Sequence, residues 1–550
     1  MRARVRYVIT ILHIICSFLW RGLIFKNVGV NPSGTIAISN AISDRTEIIL
    51  TYILSELFAC VLIFLFWKLA FHLLFNYKKQ YTLFLIIFAV GGLCVLFAWP
   101  EAFAGPDYLS DNLVTFSCAV RLTPDYWHSA YTGIIYAAAM LMMPLSCSVT
   151  LVQWGFFVFL SAYIFERIGK SAGKLRYLVL LMYVFPNSPE IMTYSHRMCQ
   201  YVIVLTLFCA MILFDLLNSE KVNAKRIILI ALFGAFLSVW RTEGIIVGFI
   251  FFVMYAFLQT GKKAAKTIAY CGVFLLFFLL MRTPDQIGNR KYYGNDYKII
   301  NAFEPLKTIL NAEEANLAYA GAEDDLTAIA EIVPIDVIKE YGVEGYRRIN
   351  NGVNGYPDIN QSRAPKEKSD AFLSSYKRVV LHNPLLFIKN QINTATTAAG
   401  IGRVFETQGY RGAHVDIPSW EYCGWTNGFN DLYTGNTVLA WRGIPLRARF
   451  ANKFLRTRVA YTDLAKRTGV YAIGILVLFT MNIAVFVNGL INRKNRTICI
   501  LGFASFAVLL EFAAILAVMP VAATIYFFSC SYLFALILYL ELCRRYKKIF

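Results

Sequence analysis

The sequence predicts an all-α polytopic membrane protein with about twelve transmembrane helices, and three observations predict it. Apolar side chains make up 58% of the 550 residues, charged ones only 16%, and the mean hydropathy is +0.54, too apolar for an ordinary water-soluble chain. Apolar runs of the length that crosses about 30 Å of hydrocarbon recur at 7–25, 47–75, 81–99, 147–166, 175–187, 198–217, 226–240, 243–260, 266–281, 468–491, 497–518 and 522–542. Basic residues then mark every second connection. The 53 Lys and Arg against 34 acids therefore report topology, and nucleic acid is excluded as a partner.

The first run follows Arg2, Arg4 and Arg6 without a small-residue cleavage site, so it is expected to be a retained span rather than a signal peptide. With the N-terminus cytoplasmic, the inner connections carry Lys78 and Lys79; Arg167, Lys170, Lys174 and Arg176; Lys221, Lys225 and Arg226; Lys262, Lys263 and Lys266; and Arg493, Lys494 and Arg496. Arg544, Arg545, Lys547 and Lys548 keep the C-terminus inside as well, in a cell (plasma or inner) membrane. Counting 129–146 as a further span would put the later basic clusters outside. That stretch is therefore expected to be a helix lying along the outer interface or re-entering it.

The layout divides into three N-terminal spans (1–99), an outer loop with its interfacial helix (100–146), a six-helix core (147–281), an extracytoplasmic insert (282–467) and three C-terminal spans (468–550). The insert is too long for a loop, and the apolar spacing in 303–317 and 370–381, with Pro384 opening a further helix, makes it mainly helical. The stretch 401–445, with Trp420, Trp425 and Trp441, is expected to be irregular. Most of the cysteines lie in apolar runs and have no metal-ligand spacing. Only Cys118 and Cys423 fall outside the membrane, where one disulfide could form. No six-plus-six repeat is evident, which weighs against a two-halves transporter.

Candidate chemistry sits at the outer ends. Asp107 follows the third span closely, and Asp111 comes four residues later, on the same face if the segment is helical. Such a carboxylate could act as general base toward an acceptor arriving from outside, or could simply cap the helix that starts near Tyr108. Asp125, Trp127 and His128 at the start of the interfacial helix could contact a sugar or phosphate, or be an interfacial anchor and solvated neighbours. His196 and Arg197 precede the sixth span. Arg241 and Glu243 occupy so short a connection that they must lie at or below the membrane surface: the Arg could hold a lipid-linked phosphate by a forked contact with Glu243 orienting it at the substrate, or the two could form a structural ion pair. There is no Walker A motif, no dinucleotide glycine pattern, no HExxH and no cytoplasmic domain for a nucleotide sugar, so a donor must come through the membrane or from outside.

In order and layout these residues resemble the GT-C superfamily, multi-pass glycosyltransferases that use polyprenyl-phosphate-linked sugars, and in particular its uncharacterised bacterial branches. Trp99-Pro100 and the acidic loop with Asp107, then Asp125-Tyr126-Trp127-His128-Ser129, which is similar to the family's Asp-Trp-His-Pro lead-in to an interfacial helix, carry the likeness. Phe185-Pro186-Asn187, Trp240-Arg241-Thr242-Glu243-Gly244 and the piece from Tyr376 to Lys389 extend it over most of 80–400. Ser129 stands where the family commonly has Pro, and His196-Arg197 where related chains often have Lys-Asp. The resemblance implies that Asp107 is the base, with Asp111 in reserve; Arg241, with Arg197 or His196, is expected to stabilise the donor phosphate. The expected activity is inverting transfer of a sugar from a polyprenyl-phosphate donor to a glycan, lipid or protein acceptor. A divalent metal is a candidate cofactor, but no metal ligands are assigned. An O-antigen-type polymerase or ligase is the alternative, and a lipid-linked sugar flippase the second.

Overall fold

The computed structural model describes residues 2–25, 28, 44–75, 110–126, 128–144, 148–184, 191, 197–261, 263–293, 296–342, 365–399, 401–408, 470–519 and 524–547. Among them every regular element is helical. In chain order these are α1 (Arg2–Ile24), α2 (Arg45–Phe75), α3 (Ser110–Arg121), α4 (Ala130–Met142), α5 (Ser148–Ile168), α6 (Arg197–Leu217), α7 (Ala224–Trp240), α8 (Gly244–Gln259) and α9 (Ala264–Tyr293). The insert holds α10 (Asp296–Ile300), α11 (Phe303–Asn311), α12 (Ala322–Ala330), α13 (Ile335–Tyr341), α14 (Lys366–His382) and α15 (Pro384–Ala398). The bundle closes with α16 (Val470–Ile491), α17 (Arg496–Val518) and α18 (Phe528–Lys547).

Seven of these helices are long and apolar enough to cross a membrane: α1, α2, α5, α6, α9, α16 and α17. Their outward faces stay apolar. Leu19, Ile268 and Leu280 are 76, 69 and 62% exposed, a distribution that suits hydrocarbon and not water. At 17 and 16 residues, α7 and α8 are shorter, yet they pack into the same bundle. The expected third span, 81–99, lies outside the described residues. The expected fifth, 175–187, differs from a regular span over the part described. Lys170–Leu180 forms two short 3-10 pieces on either side of a kink at Gly173, followed by the single α turn Leu181–Val184, and Gly169 and Gly173, both at positive φ, break the α-helical path.

The core is organised around α6. Eighteen of its 21 residues are buried, against α5, α7, α8, α17 and α18. Its sequence is apolar around the whole circumference, and that drives a helix to the centre of a bundle rather than its rim. At its C-terminal end the fully buried Asp215 accepts from Arg226 Nε and Nη2 (2.7 and 3.0 Å), Arg167 Nη2 (3.4 Å) and the Tyr255 hydroxyl (2.9 Å), tying α5, α6, α7 and α8 together. Elsewhere α16 meets α17 backbone to backbone: a Cβ on Gly489 would come within 2.8 Å of Gly502 Cα, so both positions need glycine.

The stretch expected at the outer interface forms α4. Its 13 residues, about 20 Å long, are too few to cross a membrane, and ten are buried against α1, α2, α3 and α5. It therefore lies inside the protein rather than along its surface. Its last carbonyls are capped from α1: Leu141 O by Trp20 Nε1 (2.6 Å) and Met142 O by His13 Nε2 (2.8 Å). Trp67 Nε1 donates to His13 Nδ1 (3.0 Å), which leaves the ring proton on Nε2.

The insert has its own core, built on Phe303, Leu306, Ile309, Val333, Phe372 and Val379. Pro384 begins α15 at a position that needs no N–H, and α15 joins the insert to the bundle through Gln391 Nε2 to Ala517 O (3.0 Å). Arg378 forks onto the buried Asp325, which also accepts from the Tyr319 hydroxyl (2.7 Å). Burial pushes the Asp325 carboxyl up, but these donors outweigh it and hold it below its ordinary value of about 3.9. A carboxyl depressed on folding contributes stability above its unfolded pKa and loses it as pH falls through the folded one. Wild type and Asp325→Asn are therefore expected to differ in thermal unfolding at neutral pH and to converge below about pH 4.

Candidate functional site

Asp125 is 1% exposed and gathers three donors. The Thr115 hydroxyl (2.5 Å) and His128 Nδ1 (2.9 Å) reach its Oδ2, and the His128 backbone N–H reaches its Oδ1 (3.3 Å). Burial raises the Asp125 pKa, and the paired His128 with these hydrogen bonds more than reverses it, so the carboxyl is held below its ordinary range. An ionised Asp125 fixes the imidazole with its proton on Nδ1. The next residue, Ser129, has φ of 77°, a left-handed conformation for a residue with a Cβ, which costs about 1–3 kcal/mol and persists only where neighbours enforce it.

Those neighbours come from α9. Asp285 Oδ1 accepts from Ala130 N (2.8 Å), satisfying an open N–H at the start of α4, and the Tyr131 hydroxyl donates to Met281 O (3.0 Å). Asn289 Nδ2 holds the Tyr126 carbonyl (2.8 Å), and the Tyr126 ring lies directly on Gly288, where a Cβ would overlap it. Gly288→Ala is accordingly expected to push Tyr126 out of place and to cost about 1–3 kcal/mol in thermal unfolding. An unchanged melting point would mean that this contact does not hold the segment.

On the far side, Arg197 at the start of α6 donates to the His128 carbonyl (3.2 Å), and Trp240 Nε1 donates to Thr132 Oγ1 (3.1 Å). Arg241, at the end of α7, forks onto Glu243 through Nε to Oε2 (3.1 Å) and Nη2 to Oε1 (2.5 Å). Arg241 is 6% exposed and lies 6.0 Å from the centre of the Tyr201 ring. Deeper in the bundle, the fully buried Glu511 of α17 accepts from Ser529 Oγ (3.1 Å).

These elements enclose a cavity of about 250 Å³ at one end of the bundle. Five cations line it, Arg197, Arg241, Arg282, Arg290 and Lys298, against two carboxylates, Glu243 and Asp285. With Glu243 matched to Arg241 and Asp285 3.4 Å from Arg282, the surplus of charge at the cavity is positive.

Of the residues singled out in the sequence, His128, Arg197, Arg241 and Glu243 meet at this cavity. Asp125, expected at the substrate, instead sits behind His128 and does not line the cavity. Asp107, Trp127 and His196 lie outside the described residues, as does the side chain of Asp111, which falls in α3. Cys118 is a buried free thiol, and Cys423 lies outside the described residues. Sequence reasoning missed Thr115, Arg282, Asp285 and Glu511. A signal existed for Arg282 and Asp285, charges in helical register at the end of an apolar run, and for Glu511, a lone acid inside one. Among the described residues no three His, Cys, Asp or Glu side chains are grouped closely enough to hold a metal ion. No family model, curated protein or solved structure matches this chain.

Proposed function

We propose that the protein is an integral membrane glycosyltransferase that moves a sugar from a polyprenyl-phosphate donor to an acceptor outside the cytoplasm. The observation that carries this reading is the cation-rich cavity at the end of the bundle beside the helical insert. A lipid-linked phosphate needs an anion site reachable from the hydrocarbon, and buried guanidinium groups supply one. In this reading the chain has about twelve spans with both termini cytoplasmic, the cavity opens on the outer side, and the insert shapes the acceptor side.

Arg241 and Arg197 hold the phosphate and stabilise the charge that develops on it. Asp107, with Asp111 in reserve, takes the proton from the acceptor hydroxyl or amine. The acceptor atom bonds to the anomeric carbon as the carbon–oxygen bond to phosphate breaks, the electron pair leaves on polyprenyl phosphate, and the sugar inverts. The Asp125–His128 pair keeps the start of α4 in position beside the phosphate.

The test is a liposome assay in which wild type and Asp107→Asn meet a labelled pool of polyprenyl-phosphate sugars, with released polyprenyl phosphate read by mass spectrometry, with and without EDTA. Release by wild type alone is the expected result, and the EDTA arm reads whether a divalent cation takes part. Equal release by both removes Asp107 from the mechanism and favours a polymerase or ligase that uses Arg241 and the insert. Movement of the lipid-linked sugar across the bilayer with no release by either overturns the enzyme reading in favour of a flippase.

A further inference from the structure

At the opposite end of the bundle a second, larger cavity, about 590 Å³, is lined by Arg167, Lys221, Lys225, Arg226, Tyr163 and Leu229, with Glu220. The helix α7 separates it from the first: Arg226 stands near its start and Arg241 just past its end, 15 residues and about 23 Å apart along the helix.

The charges here are built in two layers. Behind the rim, Asp215 fixes both Arg226 and Arg167, and Glu220 takes Arg167 at 2.8 Å, so the available acids are committed to the two arginines. Lys221 and Lys225 are exposed and make no ion pair among the described residues, which leaves a surplus of about two positive charges at the mouth. Arg496 adds a third cation beside the same turn through its bond to Ser219 Oγ (2.8 Å).

The stripe below the rim identifies the occupant. Lys225, Ile228, Leu229 and Leu232 fall at i, i+3, i+4 and i+7 of α7 and so share one face. The three apolar side chains are 38, 63 and 41% exposed. A cation at the rim with an open apolar track running from it into the membrane matches a molecule with a phosphate at one end and a hydrocarbon chain at the other. A soluble anion would use the rim and ignore the track.

We infer that this end of the protein binds the phosphate headgroup of an anionic lipid, held by Lys221, Lys225 and Arg226, with the lipid chain along Ile228, Leu229 and Leu232. Basic pockets between helices on the cytoplasmic side bind such headgroups, and each Lys or Arg near a charged membrane surface contributes enough for a severalfold change in affinity. The inference stands on a surface separate from the proposed catalytic cavity and does not depend on it.

The experiment uses the full-length protein in detergent, with phosphatidylglycerol, phosphatidylcholine or inorganic phosphate added, reading lipid adducts by native mass spectrometry and protection against heat. Wild type is expected to bind and be protected by phosphatidylglycerol, with little effect of phosphatidylcholine or inorganic phosphate. Lys221→Gln/Lys225→Gln, which changes only exposed side chains and leaves the Asp215 cluster whole, is expected to weaken phosphatidylglycerol binding roughly 10-fold or more. Leu229→Gln is expected to weaken it as well, because it interrupts the track. Unchanged binding in the double Lys variant, or equal binding of phosphatidylcholine, overturns the headgroup assignment. Protection by inorganic phosphate equal to that by the lipid, with Leu229→Gln silent, overturns the lipid and leaves a free-phosphate site.

Discussion

If the protein is the proposed glycosyltransferase, Arg241→Gln is expected to lower turnover by about 10²–10³, because that reading has Arg241 stabilise the departing phosphate. It is also expected to destabilise the protein, because Glu243 is left largely buried without its counter-charge, and removing one partner of a buried pair costs about 3–5 kcal/mol. The double variant Arg241→Gln/Glu243→Gln separates the two effects. It removes both charges and is expected to restore the melting temperature while leaving transfer absent. Recovery of transfer together with stability would reduce Arg241 to a structural ion-pair partner and take the donor-phosphate role away from it.

The second large effect is expected at Asp125. Asp125→Ala removes the acceptor that the Thr115 hydroxyl, the His128 N–H and the imidazole share, in a place that water cannot readily fill, at about 3–5 kcal/mol. Asp125→Asn keeps an oxygen for two of the donors and is expected to cost less, while releasing His128 from the fixed tautomer that the carboxylate enforces. Thermal unfolding measures the first difference. Transfer by the Asn variant under conditions where it is folded measures whether the start of α4 must be held this rigidly. Equal melting of wild type and Asp125→Ala would show that the three hydrogen bonds do not support the fold.

Much of the fold was legible in local pattern. Apolar runs near 20 residues marked α1, α2, α5, α6, α9, α16 and α17, and Pro384 marked the start of α15. The irregular path after Arg167 was not legible from hydropathy. The run at 175–187 is apolar enough for a span, but two glycines at positive φ break the chain just before it and its first part is a 3-10 helix. Span nine was cut at Met281 because charges begin there. The helix instead continues to Tyr293 and passes Pro284, since Arg282, Asp285 and Asn289 are used by the cavity and by α4.

The cavity was legible in part. Arg241 and Glu243 stood out because so short a connection left them nowhere to go but the membrane surface, and that constraint is local. The role of Asp125 was not legible, because a carboxylate next to a Tyr, a Trp and a His looks the same in sequence whether it faces a substrate or locks its neighbour.

By itself the sequence determined that this is a helical membrane protein with basic connections and an acidic, aromatic segment leading into a short helix, because hydrophobic length, helical period and charge bias are properties of contiguous residues. Only the tertiary structure decided which polar groups meet. Ala130 finds Asp285 across 155 positions and Thr132 finds Trp240 across 108, and the five cations of the cavity come from α6, α7, α9 and the start of the insert. Such pairings follow from how a predominantly apolar, buried α6 forces the surrounding helices to pack, and a long-range packing arrangement leaves no periodic trace in the residues it brings together.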